Sequence, residues 1–134
     1  MNREDFTMLN KDLIYFDNGA TTMKPKCVIN SIVEYYEDYC ANSHSGDYVY
    51  SEMVSERYEA VREKIARFIN ARESSEIVFT SGATDGINRI VFGYFKKYLN
   101  SGDEVLLTNS EHASNTLPWF KLASEIGIKV KYIS

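Results

Sequence analysis

Two prolines, two cysteines, two histidines and one tryptophan occur in 134 residues. Each scarcity excludes something. Cys27 and Cys40 show no metal-ligand spacing, and with no secretion signal they read as reduced, cytosolic thiols. No apolar run is long enough to span a bilayer, so no membrane partner is expected. The first residues, MNREDFTMLNKD, are polar and mixed in charge, unlike a signal peptide, and a cytoplasmic location is expected. No dense basic run is present and the net charge is −4, which argues against nucleic acid as a main partner. No repeats, no CxxC, HExxH or GxGxxG motif and no Ser–His–Asp arrangement with signature spacing occur.

What is present fits one ordinary α/β domain. Apolar residues make up 44% of the chain, enough for a packed core, and charged residues 25%, a normal surface share. Ten tyrosines stand out, six of them between Tyr35 and Tyr58, and they read as buried or half-buried.

Leu13 to Phe16 is a short apolar run that predicts a strand, followed by a small, polar loop over 17–24. Pro25 suits the first turn of a helix over 25–41, with Val28, Ile29, Ile32, Val33, Tyr36 and Tyr39 at helical spacing. A second helix is predicted over 52–70, its stripe being Val54, Tyr58, Val61, Ile65 and Phe68. The period then changes. Ile77–Phe79 reads as a strand. Thr84–Leu99 reads as a helix facing inward with Ile87, Ile90, Val91, Tyr94, Phe95 and Tyr98, and Gly102 as its C′ residue. Glu104–Leu107 is a strand, Asn115–Glu125 a helix with Pro118 in its first turn, and Ile128–Ile133 a last strand. This alternation predicts parallel pairing with right-handed crossovers, in a sheet that is small, incomplete and open at an edge. Three stretches follow: 1–24, an arm and strand; 25–70, two long helices; 71–134, the start of an α/β domain.

Four loops could carry chemistry. The first is the turn in VFTSGATDGIN (78–88), where a predicted strand hands over to a helix through small residues. The first N–H groups of a helix lack intrahelical partners and carry partial positive charge, and Gly82 and Ala83 let an anion approach the backbone. The same turn reads equally well as an ordinary cap made by Ser81 or Thr84. The second is NSEHASN (109–115), whose His112 could stack on a flat ring, donate a proton, bind a metal or simply face solvent, with Glu111 either orienting it or solvated. The third and fourth are NSHSG (42–46), with His44, and YFDNGATT (15–22); both read alone as surface loops.

Taken in order, these pieces resemble the N-terminal part of the class V aminotransferase family, most closely its cysteine desulfurases of the sulfur-mobilisation group. The likeness rests on YFDNGATT with Pro25, NSHSG, FINARESSEIVFTSGATDGIN (68–88), SGDEVLLTNSEHASNTLPW (101–119) and GIKVKYI (127–133). It implies the fold-type-I architecture of pyridoxal-phosphate (PLP) enzymes, in which 71–134 begins the large domain that binds pyridoxal 5'-phosphate. It implies that Ala83 and Thr84 hold the cofactor phosphate, through backbone N–H groups and the threonine hydroxyl. His112 would stack on the pyridine ring and assist proton transfer, and Asn18, Gly19, Ala20 and His44 would lie on the substrate side. A homodimer is implied, with a sulfur-acceptor protein as a further partner. In a desulfurase a protein cysteine takes the sulfur of substrate cysteine as a persulfide, alanine leaves, and the sulfur serves iron–sulfur cluster assembly.

The sequence departs from the family in three ways. The lysine that holds the cofactor, the aspartate that pairs with the pyridine nitrogen and the persulfide cysteine all lie beyond the equivalent of Ser134; Lys96, Lys97, Cys27 and Cys40 match none of them. Ser45 stands where many relatives carry arginine, which puts substrate choice in question, and EHAS replaces the commoner EHHA. The chain is therefore expected to be an N-terminal piece of such an enzyme, inactive alone, loose in its hold on PLP, and prone to self-association through its open sheet edge. The alternatives are another class V enzyme (a selenocysteine lyase, an aminotransferase or a decarboxylating relative) and a non-catalytic α/β domain that binds a phosphorylated ligand or a protein.

Overall fold

A computed structural model describes residues 2–133; Met1 and Ser134, the ends of the predicted arm and last stretch, lie outside it. The chain divides into two compact units, Met1–Ile77 and Val78–Ser134.

The first unit is helical. Short 3₁₀ turns at Arg3–Asp5 and Thr7–Asn10 precede α1, Lys26–Asp38, and α2, Val49–Phe68; a third 3₁₀ turn spans Ser74–Glu76. Pro25 stands as the N-cap of α1 with φ −68°, the value its ring imposes. Arg57 of α2 donates to Glu34 of α1 at 3.0 Å and lies over the Tyr39 ring at 4.1 Å. The predicted strand at Leu13–Phe16 does not form. Ile14 and Phe16 are exposed, and a strand exists only where a partner supplies its ladder. The predicted α1 stripe (Val28, Ile29, Ile32, Val33 and Tyr36) is also exposed, as are Val61 and Phe68 of the α2 stripe. Periodicity marks which face is apolar and does not supply what covers it. Tyr36, Tyr48 and Tyr50 are exposed rather than half-buried. Tyr35 is half-buried and donates to Ala41 O at 3.0 Å.

The second unit is a β-α-β layer with a helix ahead of it. α3 starts as Ala83–Asn88, runs as a π-helix over Arg89–Phe95 and ends with the turn Lys96–Tyr98. β1, Glu104–Thr108, leads to α4, Ala113–Ile126, and to β2, Lys129–Ile133. The two strands pair in parallel, with Glu104 opposite Lys129 and Thr108 opposite Ile133. The expected third strand at Ile77–Phe79 is absent. Ile77 is extended (φ −96°, ψ 119°), yet among the described residues no strand pairs with it. The class is the one predicted, α/β with an incomplete parallel sheet, smaller by one strand.

Val91, Leu107, Trp119, Leu122 and Ile128 form the core of this unit, and Val91 and Leu122 are fully buried. Alternation explains β1: Leu107 is buried while its neighbour Leu106 is 60% exposed. The Phe95 ring packs on Trp119 at 5.3 Å between centroids. Ile90, Tyr94 and Tyr98 do not join the core as expected; they are more than half exposed. The π-helical bonding from i to i+5 adds a residue to each turn, which rotates them off the stripe that a 3.6-residue period predicts. Pro118 is the sixth residue of α4, in its second turn rather than its first, because the helix starts at Ala113. It is buried and cannot donate to the carbonyl four residues back. Gly102 is not a C′ residue: α3 ends at Tyr98 with Leu99 extended, and Gly102, at φ +94°, donates its N–H to Gly127 O at 2.9 Å. Gly127, at φ +80°, caps α4, and an added Cβ would meet Ser101 Oγ at 2.7 Å. Among the described residues no helix is long and apolar enough to cross a membrane.

Leu122→Ala is expected to destabilise the protein by about 2–5 kcal/mol through the cavity it leaves, measured by denaturant unfolding. Glu125 accepts from Lys96 Nζ at 2.8 Å and pairs with Lys121 Nζ at 3.2 Å, tying α3 to α4. Those two ammonium groups, Lys96 foremost, hold its carboxyl below the usual glutamate range. Its stabilising effect is therefore complete above the unfolded value and is lost as pH falls through the lowered folded one. Glu125→Gln should weaken folding at neutral pH and flatten the loss of stability in acid; unchanged thermal unfolding at both pH extremes would contradict this.

Candidate cofactor site

Two helix starts meet at the site. Gly82 is the N-cap of α3 with φ +154°, a region that favours glycine, and an added Cβ there would point into open space. The Gly82 carbonyl accepts the N–H of Gly86 at 3.0 Å, so the helix begins at once after the turn. Neither Ser81 nor Thr84 caps it; no side chain does. The first N–H groups of α3, at Ala83, Thr84 and Asp85, therefore point out of the helix end, where helix geometry offers them no partner.

His112 is the N-cap of α4. Its Nδ1 accepts the backbone N–H of Ser114 at 3.1 Å, and its carbonyl accepts the N–H of Asn115 at 2.8 Å. An imidazole here does what Ser or Asp does at most helix starts. The Ser114 hydroxyl lies 3.0 Å from His112 Nδ1 and accepts from Thr84 Oγ1 at 2.8 Å. Thr84 and His112, twenty-eight residues apart in the sequence, are thus linked through one serine.

A cleft of about 330 Å³ runs between these helix starts, lined by residues 81–85, Ile87, His112, Ser114 and Asn115. A second groove, about 370 Å³, shares Thr84 and Ser114 with it and carries Lys121. Of the predicted site residues, Ala83, Thr84 and His112 line the first cleft together.

Two carboxylates stand nearby, and both are engaged. Asp85 accepts from Arg89 Nε at 2.8 Å and from the Ser81 N–H at 3.2 Å, and these bonds, Arg89 first, hold its carboxyl below the usual range. Glu111 accepts from Asn115 Nδ2 at 2.9 Å and Thr108 Oγ1 at 3.0 Å, which lower it likewise. Glu111 therefore braces the corner between β1 and α4 and does not orient His112. Trp119 Nε1 donates to Asn115 Oδ1 at 3.4 Å and ties that corner to the core.

Asn18, Gly19, Ala20 and His44 belong to the first unit. Asn18, Gly19 and Ala20 form a turn closed by the Ala20 N–H on Asp17 O at 3.1 Å, and Asn18 lines a small cleft with Arg3 and Tyr15. His44 has φ +57° and is held by its N–H on Ser55 Oγ at 2.9 Å, by Glu59 3.3 Å from Nε2, and by an edge contact with the Tyr58 ring. Sequence reasoning missed Ser114 and Asn115. The signal was available: a histidine at an N-cap accepts from the residue two further on.

The donor set fits a phosphate ester carrying a flat ring. Outward-pointing backbone N–H groups, the Thr84 hydroxyl and an open glycine suit the phosphate; Arg89 offsets the Asp85 charge; an exposed imidazole suits a ring. The class-V aminotransferase family model matches residues 14–134. A probable cysteine desulfurase of Borreliella burgdorferi is 48% identical over 96% of this chain and 32% of its own length. The apo cysteine desulfurase of Thermococcus onnurineus superposes with a TM-score of 0.92 at 39% identity, over 98% of this chain and 32% of that one. A C-DES mutant solved with glycine covalently linked to its PLP cofactor shares the fold at 22% identity, with a TM-score of 0.81 over 98% of this chain and 33% of that one. The chain thus spans about a third of the length of the relatives it matches. It belongs to the class-V aminotransferase family.

Proposed function

We propose that the cleft between the starts of α3 and α4 binds pyridoxal 5'-phosphate in a cysteine desulfurase-type enzyme that takes sulfur from cysteine and releases alanine. The observation that carries this reading is the meeting of Gly82, Ala83 and Thr84 with His112 and Ser114 around one opening. The desulfurase names of the similar proteins support the substrate class. A homodimer, a protein that accepts the sulfur, and a cytoplasmic location belong to the same proposal.

When bound, the cofactor supplies an electron sink that loosens bonds at the amino acid's α-carbon. The residues of this chain bind and orient it. The N–H groups at Ala83 and Thr84, with the Thr84 hydroxyl, hold the phosphate against the positive end of α3. Arg89 keeps the Asp85 carboxylate compensated, so that the anion does not face a bare negative charge. His112 offers a ring for stacking and a proton position at Nε2. Asn18, Gly19, Ala20 and His44 are assigned to the substrate side, on the resemblance alone.

Thr84→Val should raise the Kd for pyridoxal 5'-phosphate about 10- to 100-fold, the value of one hydrogen bond to a charged oxygen. Thr84→Ser should restore affinity. Titration of the cofactor's absorbance against each variant measures both, and equal affinity in wild type and Thr84→Val would overturn the reading.

A further inference from the structure

The contacts of Ser114 carry more than a link. A backbone N–H can only donate, so the bond from the Ser114 N–H at 3.1 Å makes His112 Nδ1 an acceptor that bears no proton. The Ser114 hydroxyl, 3.0 Å from the same nitrogen, then has a favourable role only as a second donor. Its oxygen accepts from Thr84 Oγ1 at 2.8 Å, which leaves its own hydrogen free to point at the ring. Where no phosphate competes for the Thr84 hydroxyl, the three groups form one directed chain, Thr84 to Ser114 to His112, in which each hydrogen bond polarises the next. A bound phosphate would take the Thr84 hydrogen and leave the two Ser114 donors on His112 in place.

We propose that Ser114 is a positioning residue that fixes neutral His112 as the tautomer with its proton on Nε2. Both donors of one residue converge on Nδ1, so the nitrogen away from the helix start carries the hydrogen. The ring of His112 then meets its ligand as a proton donor at Nε2, and a proton on Nδ1 would have to break the cap of α4. The inference deepens the proposed PLP reading and rests on it for its meaning, though the geometry that carries it needs no ligand. The charged groups near the ring are Asp85, bound by Arg89 across the cleft, and Glu111, bound by Asn115 and Thr108 on its own loop. Neither depends on the Ser114 hydroxyl, so a change at that hydroxyl isolates its effect.

Long-range ¹H–¹⁵N spectra of the histidine rings, recorded on the protein without added cofactor, test the proposal. Nδ1 of His112, assigned with His112→Gln, should show the unprotonated resonance and Nε2 the protonated one. Ser114→Ala removes one of the two donors to Nδ1 and should raise the share of the Nδ1-protonated tautomer, read as a shift of both ring ¹⁵N resonances at one fixed pH. Ser114→Thr, which keeps the hydroxyl, should give the wild-type ring resonances. A proton on Nδ1 in wild type, or identical ring ¹⁵N resonances in wild type and Ser114→Ala, would overturn it. Failure of pyridoxal 5'-phosphate to bind while Nε2 stays protonated would count against the functional reading and support the role of Ser114.

Discussion

The apolar layer of Val91, Leu107, Trp119, Leu122 and Ile128 is the constraint on which the rest depends. It sets α3 and α4 on the two-stranded sheet, and the direction of each helix then decides where its N-terminus lies. Both starts come out at one opening, which brings Thr84 within 2.8 Å of Ser114. A helix start is a donor-rich end by geometry alone, and two of them facing one cleft concentrate N–H groups and hydroxyls where an anion can be held. Parallel pairing of β1 and β2 contributes to this, because a parallel crossover returns the chain to the same edge of the sheet and places loops at the carboxyl end of the strands.

Around that opening, charge is compensated rather than removed. Asp85 sits in the first turn of α3, where a carboxylate favours the helix dipole and opposes a bound anion. Arg89, one turn further on, takes one oxygen and the Ser81 N–H the other, so the carboxylate is already satisfied. Glu111 is satisfied in the same manner by Thr108 and Asn115. The cleft keeps two carboxylates near its helix starts without leaving either unpaired toward the ligand.

Much of the second unit was legible in the sequence, for physical reasons. Strands 104–108 and 129–133 alternate or pair as their apolar residues require, and Gly127 stops α4 in the left-handed region that a helix C-terminus favours. The grouping of Ala83, Thr84 and His112 followed from the family resemblance, and the structure places all three on one cleft although the run 77–79 ahead of the first two forms no strand here. Runs at 13–16 and 77–79 misled because strand propensity records fitness for a sheet and cannot supply the neighbour. Ile90, Tyr94 and Tyr98 misled because a π-helical stretch shifts the buried face, and nothing in the pattern RIVFGYF marks it. Ser114 was passed over because the helix was taken to start at Asn115; with His112 as the cap, its place beside the ring follows.

The central claim is that the ends of α3 and α4 together hold a phosphorylated ring. Backbone amide shifts on titration with pyridoxal 5'-phosphate test it most directly. The account predicts the largest changes at Gly82, Ala83 and Thr84, with His112 and Ser114 moving at the same ligand concentrations. Changes confined to other surfaces, with those amides unmoved at saturation, would contradict it.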